Sequence, residues 1–162
     1  MTQTSSGKAV VTLPAADQIL ITREFDAPAA LVWRAVTEPE LVKRWWAGRR
    51  GEVTSAEIDL RVGGAWRYVM AARDGALEVA FHGEYREIVP HERIVSTEVF
   101  EGFPDAESVN TMTLVEEDGR TTLRTLVQHT SQEHRDGHLD SGMEGGMQES
   151  FDALEAVAKS LA

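Results

Sequence analysis

The side chains best suited to engaging another molecule are aromatic. Trp66, Tyr68 and Met70 alternate along one stretch, Phe81 and Tyr85 along the next, and Trp45 and Trp46 lie adjacent upstream. Alternate residues of a strand share a face. On a concave face these rings line an apolar pocket, and the Tyr68 or Tyr85 hydroxyl can meet a polar group of the ligand. On a filled face they are ordinary core, the plainer reading for Trp66 and Phe81. Neighbours on a helix point about 100° apart, so Trp45 and Trp46 must divide their roles. Either one plugs a cavity mouth while the other stacks on a ligand, or one anchors the helix while the other covers the sheet edge.

Other chemistry is sparse. His134 and His138 are four apart and share a helix face, with His129 nearby. A zinc site needs three or four converging ligands, and Gly137 interrupts that turn, so no metal is expected. His82 is opposite in parity to Phe81 and Tyr85 and points outward, and His91 follows Pro90 in a turn. Glu57, Asp59 and Arg61 alternate opposite Ile58, Leu60 and Val62. They form a solvent face or, on a sharper reading, a buried Asp59–Arg61 pair. The sequence has no G-x-S-x-G, no H-E-x-x-H, no phosphate loop and no G-x-G-x-x-G, and no cysteine to serve as nucleophile or thiolate ligand. No cofactor is expected. No pair of carboxylates stands out as acid and base, so catalysis is not the leading expectation.

The elements that must position these residues are legible from pattern. Residues 1–16 read as a flexible tail with a short strand at its end, and residues 17–162 as a single domain. Gln18 to Asp26 alternates as a first strand. Asp26 as N-cap with Pro28 in the first turn starts a helix through Val36, and Thr37-Glu38-Pro39-Glu40 fits a capping box for a second short helix toward Trp46. Six strands follow: Val53–Val62, Ala65–Ala72, Ala76–Val89, Arg93–Phe100, Ser108–Glu116 and Thr121–His129. They are turned at Gly63-Gly64, Asp74-Gly75, Pro90, Gly102 to Pro104 and Asp118-Gly119. Thr130 or Ser131 caps a closing helix. Its apolar stripe runs Met143, Met147, Phe151, Leu154, Ala158, Leu161. Gly142, Gly145 and Gly146 thin its first half, which leaves room between helix and sheet. Met143, Gly146 and Met147 are therefore the helix side of a candidate ligand site.

Charge narrows the partners. The 162 residues carry 16 basic and 27 acidic side chains, a net charge of −11. That disfavours nucleic acid and anionic membrane surfaces. No stretch reaches the roughly 18 apolar residues of a membrane span, and the N-terminus lacks a signal-peptide pattern. With no cysteine, a cytoplasmic location is expected.

Four segments resemble a known family. They are REFDAPAALVWRAVTEPELVKRWWA, DLRVGGAWRYVM, FHGEYREIVPHERIVSTEVFEG and SGMEGGMQESFDALEAVA. In this order they are similar to the Aha-type homologues of the activator of the heat-shock chaperone ATPase. That group lies within the START-like (SRPBCC, Bet v 1-like) superfamily. The resemblance covers roughly residues 18–160. It implies an α+β helix-grip fold, in which a seven-stranded antiparallel curved sheet wraps a long C-terminal helix and two short helices follow the first strand. It also implies a hydrophobic cavity between sheet and helix. Superfamily members include lipid carriers, hormone receptors, polyketide cyclases and aromatases. The leading expectation is a protein that binds a small hydrophobic or aromatic molecule. A co-chaperone-like or other protein-binding module, and a cyclase- or aromatase-like enzyme, stay open as alternatives.

Overall fold

The computed structural model describes residues 8–48, 50–72, 78–141 and 143–162. Alternating burial along Gln18–Phe25 marks the first long strand, which takes a short partner on its outer side. These are β1 (Val10–Thr12) and β2 (Gln18–Phe25), paired antiparallel with Val11 opposite Ile21. Helices α1 (Ala29–Thr37) and α2 (Pro39–Val42) follow. Then come β3 (Gly51–Ile58), β4 (Ala65–Ala72), β5 (Glu78–Val89), β6 (Arg93–Phe100), β7 (Ser108–Glu117) and β8 (Arg120–Gln128). Helices α3 (Gln132–Asp140) and α4 (Met143–Ser160) close the chain. The strands form one antiparallel sheet in the order β1-β2-β8-β7-β6-β5-β4-β3. The meander runs from β3 to β8, and β2 joins its end. The helix-grip architecture stands, with β1 as an eighth strand at the edge.

Several local expectations are corrected. The short strand at the end of the tail is β1, and the residue before it is held: Ala9 is buried, and Gln148 of α4 clamps it with two hydrogen bonds, accepting from its N–H (2.9 Å) and donating to its carbonyl (2.8 Å). Residues 1–7 of the expected tail lie outside the described residues. Asp26 does not cap α1. Its carboxylate meets Lys159 (3.4 Å), and the Ala29 N–H instead donates to Glu116 of β7 (2.7 Å), so a strand-borne carboxylate serves the helix start. Thr37 opens no capping box; it ends α1 and donates its hydroxyl back to the Trp33 carbonyl (2.7 Å). Strand β3 stops at Ile58, short of the expected Val62, so Leu60 and Val62 are exposed; Asp59 and Arg61 lie on the surface and meet there (2.9 Å), in line with the solvent-face reading and not the buried pair. The closing helix is two helices. Ser131, not Thr130, caps α3 by accepting from the His134 N–H (3.1 Å). Gly142 and the Asp74-Gly75 turn lie outside the described residues.

The inner face of the sheet packs on α1 and α4. Phe25 meets Phe151 edge-on at 5.7 Å, and Leu154, Val157 and Ala158 are buried beneath them. A charged side chain is clamped within this packed half. Arg23 is fully buried, lies over the Phe25 ring at 4.9 Å, and reaches Asp152 (3.1 Å) and Glu155 (3.3 Å) of α4. Glu155 also accepts from the Asp26 N–H (2.8 Å), so one carboxylate ties both the strand and the turn after it to the helix.

Candidate functional site: a polar-floored aromatic cavity

Beside this packed half lies a partly open cavity of about 190 Å³. Its aromatic wall comes from Trp66 and Tyr68 of β4, Tyr85 of β5, and Trp45 and Trp46 from the turns after α2. Phe151 and Leu154 of α4 and Val36 of α1 cover it. Register builds the floor: Tyr85 pairs with Ser96 of β6, Ser96 with Asn110 of β7, and Met112 with Thr125 of β8. Ser96, Glu98, Asn110 and Thr125 thus put a polar row across three central strands on the cavity side.

Glu98 is the distinctive member. Burial pushes its carboxyl above the ordinary carboxylate range, and a hydrogen bond from Asn110 partly opposes that. Asn110 Oδ1 is itself buried without a partner. No arginine, lysine or histidine lines the cavity among the described residues. Burial, and then the nearby Tyr85 and Glu98, holds the Tyr68 hydroxyl well above its usual range, and burial alone raises Tyr85. Both phenols are therefore neutral hydrogen-bonding groups.

The sequence-derived site residues divide. Trp45, Trp46, Trp66, Tyr68 and Tyr85 come together around the cavity. Trp45 is anchored, donating its indole N–H to the Ala35 carbonyl (2.8 Å). Trp46 meets Tyr68 and Phe81 edge-on, each at 5.4 Å. Trp66 donates to the Thr97 carbonyl (3.2 Å). It lies against Gly83, where a Cβ would overlap that same carbonyl oxygen. Phe81 stacks toward Phe100 (5.1 Å) beyond the cavity wall, and Met70 sits between Val53 and Val79, also outside the lining. Met143 and Met147 pack at the other end, against the cluster of Ala9, Ile19, Ile21 and Val127. Gly146 does not open onto the cavity: a Cβ there would meet the Arg50 guanidinium at 3.5–3.6 Å. The space lies under Phe151 and Leu154, the apolar half of α4, and not under its glycines.

Reasoning from sequence missed Ser96, Glu98, Asn110, Met112 and Thr125. Val95 and Val99 alternate with Ser96 and Glu98 along β6, and Val99 is buried as well, so the apolar pattern of this strand alone does not point to the polar pair. The usable signal was cross-strand, because Ile94 and Glu98 share a parity and Ile94 pairs with Met112, itself opposite Thr125.

The histidines form no such centre. His129 and His138 share a hydrogen bond (3.0 Å), while His134 bonds Thr130 (2.7 Å). Burial, then His138, holds His129 down at about 4. His82 points outward onto Glu101 (2.9 Å), whose carboxyl Arg67 and His82 hold at about 2. Among the described residues no group of three His, Asp or Glu side chains is placed to hold a metal ion. Nor is any described helix long and apolar enough to cross a membrane.

A curved antiparallel sheet gripping a C-terminal helix, with a cavity between them, defines a START-like (SRPBCC) helix-grip domain. The profile of the activator of Hsp90 ATPase homologue 1-like proteins matches residues 26–159, and the chain belongs to that family. No curated protein matches it in sequence. Solved structures do. A protein from Rhodobacter sphaeroides is 24% identical with a TM-score of 0.87, over 94% of this chain and 99% of that one. One from Chromobacterium violaceum is 28% identical with a TM-score of 0.75, over 89% and 98%. An AHSA1-like protein from Aeromonas hydrophila is 21% identical with a TM-score of 0.63, over 88% and 93%. The first and third of these likenesses bear on the fold alone.

Proposed function

We propose that this protein binds a small, single-ring hydrophobic molecule in the cavity between β4–β8 and α4. The observation that carries the reading is the aromatic wall around a space of about 190 Å³ with polar groups on one side only. Binding pockets have this composition, mostly apolar with a few placed polar groups. Size limits the occupant. An apolar cavity of about 150 Å³ takes up benzene, whereas drug-sized ligands occupy roughly 300–1,000 Å³. One ring with a short chain suits the space, and a multi-ring lipid or polyketide would need it to widen. A separate cleft of about 330 Å³ beside Gly48, Gln148, Glu149, Asp152 and Ala153 offers no aromatic ring. The family's link to a chaperone ATPase activator concerns a protein partner, whereas a recessed, aromatic-walled cavity of this size favours a small molecule.

The test is uptake of single-ring probes such as 2-phenylethanol, followed by ligand-observed NMR and by quenching of tryptophan fluorescence. One-site binding is expected. It should be lost in Thr125→Leu, which fills the space, and altered in Trp66→Ala or Tyr68→Ala. It should persist in His134→Ala, which lies outside. Failure of the folded protein to take up any single-ring probe would end this reading.

A further inference from the structure

We infer that the cavity selects a cation: a protonated aromatic amine whose ammonium group pairs with Glu98 while its ring lies among Trp46, Trp66 and Tyr68. The inference rests on the binding reading above and adds the charge of the occupant.

Four observations converge. Glu98 faces the cavity with Asn110 as its hydrogen-bond partner, and among the described residues no basic side chain pairs with it. A carboxylate withdrawn from water is normally matched by a cation, and here the described residues supply none. The wall is aromatic: Trp46 lies 5.4 Å from Tyr68, and Trp66 4.8 Å from it. Ring faces attract cations, most strongly where water is excluded. The polar floor is also rich in acceptors. The Glu98 carboxylate and Asn110 Oδ1 only accept, and the hydroxyls of Ser96 and Thr125 can turn to accept as well. An ammonium brings up to three N–H donors to such a floor, whereas a carboxylate ligand would bring acceptors to acceptors. The net charge of −11 draws cations toward the mouth and repels anions.

The raised Glu98 carboxyl gives the pairing a signature. Ammonium binding favours the ionised form of a carboxyl that burial biases toward its protonated one, so binding should release protons.

Three probes of matched size form the experiment: 2-phenylethylamine, 2-phenylethanol and 3-phenylpropanoate, titrated calorimetrically into the full chain. The amine should bind at least about tenfold more tightly than the alcohol, and the acid most weakly of the three. Amine enthalpies in buffers of different ionisation heat should show net proton release, growing as pH is lowered toward the Glu98 titration. In Glu98→Gln the ratio of amine to alcohol affinity should fall to about one and the proton release should vanish. If the alcohol binds as tightly as the amine, or if Glu98→Gln keeps the preference, the charge assignment is overturned while the pocket stands. If all three probes fail on the native protein, the pocket itself is refuted. Proton release measured on the native protein holds the inference open to refutation even if the variant does not fold.

Discussion

Replacing Glu155 with alanine should cost far more than replacing the buried arginine it holds. Arg23 has no exposed side-chain surface, whereas Glu155 is 20% exposed and Asp152 61% exposed. Glu155→Ala leaves a buried guanidinium with one well-hydrated partner. Removing one member of a buried pair costs about 3–5 kcal/mol; with Asp152 retained, about 2–4 kcal/mol is expected. The Asp26 N–H also loses its acceptor, but Asp26 is exposed and water takes the place, so this adds little. Arg23→Met removes the charge, keeps most of the packing volume over Phe25, and leaves two carboxylates that water can reach. Apolar replacement of a buried ion is often neutral, so a change within about 1 kcal/mol is expected. Urea unfolding followed by circular dichroism, with the denaturant slope held in common, separates the two cases. A destabilisation of Arg23→Met as large as that of Glu155→Ala would refute the reasoning, since the pair would then be a net source of stability and not a desolvated charge held in check.

Gly146→Ala should stabilise the protein by up to about 1 kcal/mol, because helix propensity favours alanine and the new Cβ meets Arg50 at ordinary contact distance; at this chain length about 2–4 °C in Tm accompanies each kcal/mol. Probe binding should be unchanged by that substitution. Acidification should weaken the fold through the His129–His138 pair. Unfolded histidine takes up its proton near 6.5 and folded His129 only near about 4, so stability is complete above the first value and declines as pH falls to the second. At full strength that shift is about 3 kcal/mol, and solvent around the pair lowers the expectation to about 1–2 kcal/mol. Tm measured from pH 7 to 4 should show the fall, and His129→Gln should flatten it.

Where sequence and structure agree, a local rule and a global need coincide. Asp118-Gly119 turns a hairpin because both residues adopt positive φ, 54° and 77°, which these types tolerate. Trp66, Tyr68 and Tyr85 reach the cavity because alternation fixes their face. Disagreement arises where a distant strand decides. Glu116 reaches α1 from 87 residues away and displaces Asp26 from the capping role that its position suggests. The glycines of α4 read as a hollow, but Arg50 comes across from the far end of the sheet and covers Gly145 and Gly146. Periodicity within one element cannot reveal a partner that arrives from another.

The polar floor poses the same problem and suggests why it exists. Ile94, Met112, Leu114 and Leu123 show that this face of β6–β8 is built to be apolar, yet Ser96, Glu98, Asn110 and Thr125 interrupt it. A core selected for stability alone would fill these positions with leucine or valine, since an enclosed carboxyl and an unpartnered amide oxygen both cost folding free energy. The interruptions adjoin one another across adjacent strands, face a single space, and sit opposite aromatic rings. Conflicts of this kind, gathered at one place while the rest of the chain obeys its patterns, are what the proposed binding role requires of a fold that gives up stability locally. The packed half of the sheet, with Phe25, Phe151 and the Arg23 clamp, supplies the rigidity that lets the other half remain hollow.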